Sequence, residues 1–196
     1  MKNNIITILA FDPGLSFLGW SILEYHVKTG KIFVPKFGSI IGSVSLKNNK
    51  DLKGEFQKRF IILNEAEKEV EALITSVQPD FVVSEAAFQG KFADAYAALV
   101  LVIHMIRRSS FVTRRKDIFT IPPREVKFHV AGHGGASKQE IYQAIMKNEN
   151  VEIKNRKDKP VENMLDHESD SIGVGLAFII LQLKTILASL NLDHAA

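Results

Sequence analysis

A chain of 196 residues with 46% hydrophobic and 24% charged side chains can bury one good core, and nothing in its composition points to disorder. Cysteine is absent, which excludes disulfides and thiolate metal sites and leaves oxygen or imidazole as the only ligands for a metal. A net charge of +3 and an isoelectric point near 9.0 lean towards a polyanionic partner without specifying one.

The chain order reads as alternating strands and helices. Ile5 to Phe11 is apolar and rich in β-branched residues, and Asp12-Pro13-Gly14 ends it, the pattern of a buried strand running into a tight turn. Gly19 to His26 and Lys31 to Ile40 predict two further strands joined as a hairpin through Lys28-Thr29-Gly30. Gly42 to Gly54 is polar and lysine-rich and reads as a loop. From Glu55, Phe56, Phe60, Leu63, Val70, Leu73, Ile74 and Val77 recur at helical spacing until Gln78-Pro79-Asp80. Phe81 to Ser84 predicts a short buried strand ending at Glu85. Phe92 to Arg107 predicts a helix apolar nearly all round, and such helices are buried on two sides. Ile118 to Ile121 is a last strand entering Pro122-Pro123, before a short helix and a glycine-rich link at Gly132 to Gly135. Ser137 with Glu140 has capping-box spacing and opens another helix. Glu149 to Glu162 reads as a charged surface loop, and one long helix runs from His167 to Leu190. No repeat or linker divides the chain, so residues 1–196 are expected to form a single domain. No apolar stretch is expected to reach the roughly 20 residues a bilayer requires, which predicts a soluble intracellular protein without a membrane partner.

Three acids stand out by position. Asp12 and Glu85 fall at the C-terminal ends of buried strands, where α/β folds place their chemistry, and Asp170 lies in the first turn of the final helix. Converging carboxylates repel unless a cation holds them; two Mg²⁺ ions about 4 Å apart would resolve the repulsion and activate water against a phosphodiester. Each acid also has a plainer reading: Asp12 as a turn residue, Asp170 and Glu168 as acids facing a helix dipole. Glu85 is the hardest to explain plainly, because an acid beside a core is costly without a partner.

Order and context separate these readings. Ile8-Leu9-Ala10-Phe11-Asp12-Pro13-Gly14 with Gly19-Trp20, Ser84-Glu85-Ala86-Ala87-Phe88 through Lys91 to Ala95, Pro123-Arg124-Glu125-Val126-Lys127 with Gly132 to Lys138, and His167-Glu168-Ser169-Asp170-Ser171 form four motifs. In this order they resemble the RuvC family of Holliday-junction resolvases along almost the whole chain. The resemblance implies an α/β RNase H-like fold, a five-stranded mixed sheet flanked by helices, with Mg²⁺ or Mn²⁺, two ions per site, at Asp12, Glu85, His167 and Asp170. Many family members carry aspartate where this chain has His167; Asp166 or Glu168 could supply the missing carboxylate, and His167 is the residue expected here. The resemblance further implies that Phe88 wedges among bases at the junction centre, that Lys91, Arg124, Lys127 and Lys138 meet DNA, and that Lys138 also takes part in catalysis.

The activity this implies is hydrolytic nicking of four-way DNA junctions by a homodimer, since a junction of near-twofold symmetry calls for two active sites related by a twofold axis. The helix around Ala95, Leu99, Val102 and Ile106 is the expected interface. The expected location is the cytoplasm of a bacterium or of a virus-infected cell, an organelle being the other setting. The competing classes are actin-type ATPases, which need a second glycine-rich phosphate loop, a junction-binding protein with no use for the acids, and other RNase H-fold nucleases acting on branched DNA or structured RNA.

Overall fold

The computed structural model describes residues 4–49, 55–155 and 157–192. Its centre is a mixed sheet of six strands in the order β5-β4-β1-β2-β3-β6, one more than expected. Strand β1 (Ile5–Asp12) pairs antiparallel with β2 (Phe17–His26), which pairs antiparallel with β3 (Ile32–Ile41). On the other side β4 (Phe81–Glu85) runs parallel to β1, and β5 (Phe119–Ile121) parallel to β4. The sixth strand, β6 (Val151–Ile153), pairs parallel with Ile32 to Val34 and so corrects the reading of Glu149 to Glu162 as loop alone; a 3₁₀ turn at Val161–Asn163 follows within the same stretch.

The helices lie on both faces. Gly42 to Asn49, read as loop, instead begins with α1 (Gly42–Asn48), whereas residues 50–54 of that stretch lie outside the described residues. Next come α2 (Glu55–Val77) and α3 (Ala93–Arg114), the latter ending seven residues beyond the Arg107 expected. Its continuation Arg108 to Arg114 mixes buried Ser109 and Ser110 with exposed Phe111 and Val112, so the apolar pattern faded before the helix ended. Then α4 (Pro123–Ala131), α5 (Lys138–Lys147), α6 (Asp166–Phe178) and α7 (Lys184–Leu192) follow, with a π-helical turn at Ile179–Leu183 between the last two. The capping box at Ser137 and Glu140 is present.

Strand alternation decides which side each residue serves. Ile6, Ile8, Ala10, Leu23, Tyr25 and Val83 face α4, α5 and α6 and build one core with Ile172, Val174 and Phe178. Leu9, Phe11, Leu18, Trp20 and Val82 face α2 and α3 and build the other with Val70, Ile74, Val102 and Ile106. Asp12 and Glu85 continue the first series, so both end their strands facing α6.

Two expectations about apolar helices change. Ala93–Arg114 and Asp166–Ser189 are, by length and composition, long and apolar enough to cross a membrane, contrary to the sequence reading. The second carries α6, which lies against the sheet as a central core element, with Gly175 admitting the Leu23 side chain where a Cβ would stand 2.6 Å from it. Helix α3 is buried on one side rather than two: Val102, Ile103, Met105 and Ile106 point into the core while Tyr96, Val100, Leu101, Phe111 and Val112 are exposed. Val102 and Ile106 therefore belong to the subunit's own core and not to an outer contact face.

Candidate metal-binding active site

Asp12 ends β1 opposite Gly19 of β2, and the first turn of α6 settles onto that pair. The approach is close enough that a Cβ on Gly19 would lie 2.0 Å from the His167 carbonyl oxygen, so only glycine permits it. His167 then reaches Asp12, its Nδ1 donating to Oδ2 at 2.7 Å, and its ring stacks on Phe17. Ligand atoms of Asp12, His167 and Asp170 all lie within 4.8 Å of one another. Lys138, first residue of α5, stands 3.5 Å from Asp170 and 3.7 Å from Asp166.

Electrostatics ties Glu85 to this cluster although it lies outside the tight trio. Burial, and then the charges of Asp12 and Asp170, push the Glu85 carboxyl up to about 8, with Lys127 and Lys138 pulling against them. Burial and Asp12 likewise raise Asp170 to about 6, opposed by Lys138 and by His167. The Asp12 hydrogen bond raises His167, against the effect of its burial. Three groups that each hold a proton above the usual range, gathered about the Asp12 carboxylate, are chemically a cation-binding set waiting for charge. Carboxylate oxygens with one imidazole fit Mg²⁺ or Mn²⁺, the nitrogen favouring the softer Mn²⁺.

The three adjacent candidates in α6 separate cleanly. Asp166 is exposed, its carboxylate 3.7 Å from Lys138. Glu168 is fully buried and turned away, accepting hydrogen bonds from Ser39 Oγ and the Leu165 amide, both at 2.9 Å, and from Lys159. His167 alone of the three joins Asp12 and Asp170. Of the other predicted residues, Lys127 sits near Glu85, while Phe88, Lys91 and Arg124 are exposed; Phe88 is 66% accessible on the coil after β4. Sequence reasoning missed Phe17, Ser39 and Lys159, and it named Gly19 and Glu168 without the roles that the structure gives them. Period-two spacing from Gly19 could have found Phe17; nothing local marks Ser39 or Lys159.

A mixed sheet flanked by helices, with an acidic cluster able to hold a metal ion where α6 meets the strand ends, defines a protein of RNase H-like fold. Known proteins agree. Crossover junction endodeoxyribonuclease RuvC of Alkaliphilus oremlandii is 29% identical over 140 residues, 70% of this chain and 76% of the relative; that of Prochlorococcus marinus is 28% identical over 171 residues, 86% and 93%. No family model matches the chain. Thermus thermophilus RuvC in complex with a Holliday junction superposes with a TM-score of 0.66 at 15% identity, covering 89% of this chain and 93% of that one. The yeast mitochondrial Holliday junction resolvase gives 0.61 at 12%, covering 87% and 76%. The RuvC resemblance drawn from the four motifs is borne out: the chain is RuvC-like in sequence and in fold.

Proposed function

We propose that the chain is a metal-dependent endodeoxyribonuclease of the RuvC type, resolving four-way DNA junctions by paired symmetric nicks as a cytoplasmic homodimer. The observation that carries this reading is the meeting of Asp12, His167 and Asp170 within 4.8 Å, with Glu85 electrostatically coupled to them and Lys138 beside Asp170. When bound, Mg²⁺ or Mn²⁺, as two ions, supplies an activated water and neutralises charge on the leaving oxygen. Asp12, Glu85, Asp170 and His167 hold that charge in place. Lys138 is placed to stabilise the phosphate charge that develops in the transition state, and Lys127 to hold a neighbouring phosphate. Lys91 and Arg124, both exposed, extend the phosphate-binding surface. Phe88 offers an unpartnered ring for stacking on bases at the junction centre, worth roughly 1–3 kcal/mol.

The test compares Asp12→Asn, Glu85→Gln and Asp170→Asn with wild type on junction, duplex, flap and RNA substrates. Each variant should bind a junction about as well as wild type, or more tightly, because it removes a negative charge facing phosphates. Cleavage should fall by several orders of magnitude. Near-normal cleavage by Asp12→Asn and Asp170→Asn, or undiminished cutting in EDTA, would overturn the metal reading; preferential cutting of RNA would transfer the chain to the ribosomal-RNA maturation type.

A further inference from the structure

Residues two apart on a strand share a face, so Phe17 and Gly19 both look towards the first turn of α6, on the same side of the sheet as Asp12. Gly19 admits the His167 backbone. The Phe17 ring lies nearly flat on the His167 imidazole, with centroids 5.5 Å apart and planes 10° from parallel. Phe17 is 39% exposed, so deep burial does not explain its place. The imidazole is thus fixed at three points: its backbone against Gly19, its Nδ1 on Asp12 and its ring plane on Phe17. Without the stack, the last torsion of a half-exposed histidine is broad. Aspartate at this position would have no ring to stack, which gives Phe17 a purpose tied to histidine.

We propose that Phe17 is a positioning residue that holds the His167 ring in the plane in which Nδ1 meets Asp12. The inference rests on the metal-binding reading above. Contacts that fix the orientation of a ligand side chain tune the affinity of the site for its metal.

The experiment uses Phe17→Ala and Phe17→Tyr, each in the wild-type and His167→Asp backgrounds, with Mn²⁺ alone as the probe and its free concentration read by electron paramagnetic resonance. Phe17→Ala should bind Mn²⁺ about three- to tenfold more weakly, the worth of one aromatic stack. Phe17→Tyr should bind as wild type, and adding Phe17→Ala to His167→Asp should cost nothing further. The NMR resonance of His167 Hε1 should move in Phe17→Ala and hold in Phe17→Tyr, because a ring current is lost only in the first. Unchanged Mn²⁺ affinity with an unmoved resonance, or an equal loss in both backgrounds, would overturn the proposal. Should wild-type protein bind no Mn²⁺, the metal reading fails by itself, and the Hε1 resonance still decides whether Phe17 holds the ring.

Discussion

Asp166, His167 and Glu168 follow one another in the first turn of a helix, and consecutive side chains there leave the axis about 100° apart. Which one faces the strand ends depends on how the helix docks, and that is set by Gly19 on a strand almost 150 residues earlier. The sequence could therefore name Asp12, Glu85 and Asp170 from strand and helix ends, but it could not choose among the three neighbours. Gly19→Ala tests this docking. A methyl group 2.0 Å from the His167 carbonyl forces the first turn of α6 away from β2 and breaks the contact of His167 with Asp12. Urea unfolding should report a loss of about 2 kcal/mol or more, and junction cleavage should fall with it. Wild-type stability and cleavage in this variant would show that the turn can retreat without consequence.

Among the elements, those with an apolar run, a periodic face or a punctuated boundary were legible, the three-residue β5 before Pro122 included, and those without were not. Helix α2 and strands β1 to β4 announce themselves through spacing, whereas β6 is three residues long and gains its identity only from pairing with Ile32 to Val34. Helix α1 has no side-chain cap and a polar composition, so nothing in it competes with a loop reading. Helix α3 was legible as apolar but not as to direction: hydropathy cannot tell an inward Val102 from an outward Leu101. Its outward Tyr96, Val100 and Leu101 leave an exposed apolar patch, which we propose as the twofold contact of the dimer. Leu101→Glu should consequently yield folded monomers in sedimentation at concentrations where wild type is dimeric, with an unchanged circular dichroism spectrum, since Leu101 is already 45% exposed within the subunit. A folded variant that stays dimeric would move the interface elsewhere.

At the scale of the molecule, the cluster couples folding to pH. Glu85 is raised from 4.5 to about 8 and Asp170 from 3.8 to about 6, and His167 is raised from 6.5. All three bind protons more tightly folded than unfolded. For the carboxyls this means that between the unfolded and folded values the native state keeps a proton the unfolded chain has released, so stability falls as pH rises through that window. For His167 the stabilisation is complete below 6.5 and is likewise lost as pH rises through its folded value. The signs agree, so metal-free protein should melt at a lower temperature at pH 8 than at pH 5.5, losing on the order of 1 kcal/mol per pH unit where one group dominates. Mn²⁺ should reverse the trend: a divalent cation replaces the protons, binds more tightly as pH rises and releases protons on binding, which calorimetry in buffers of different ionisation enthalpy measures. Glu85→Gln isolates the upper part of the effect. It should make the melting profile of the metal-free protein shallower between pH 6 and 8, because the amide stays neutral throughout and only the His167 contribution remains there, while the decline with rising pH below pH 6 that belongs to Asp170 persists. A metal-free melting temperature that rises from pH 5.5 to 8, or a profile that Glu85→Gln leaves unaltered, would mean that Glu85 is solvated and takes no part in the cluster.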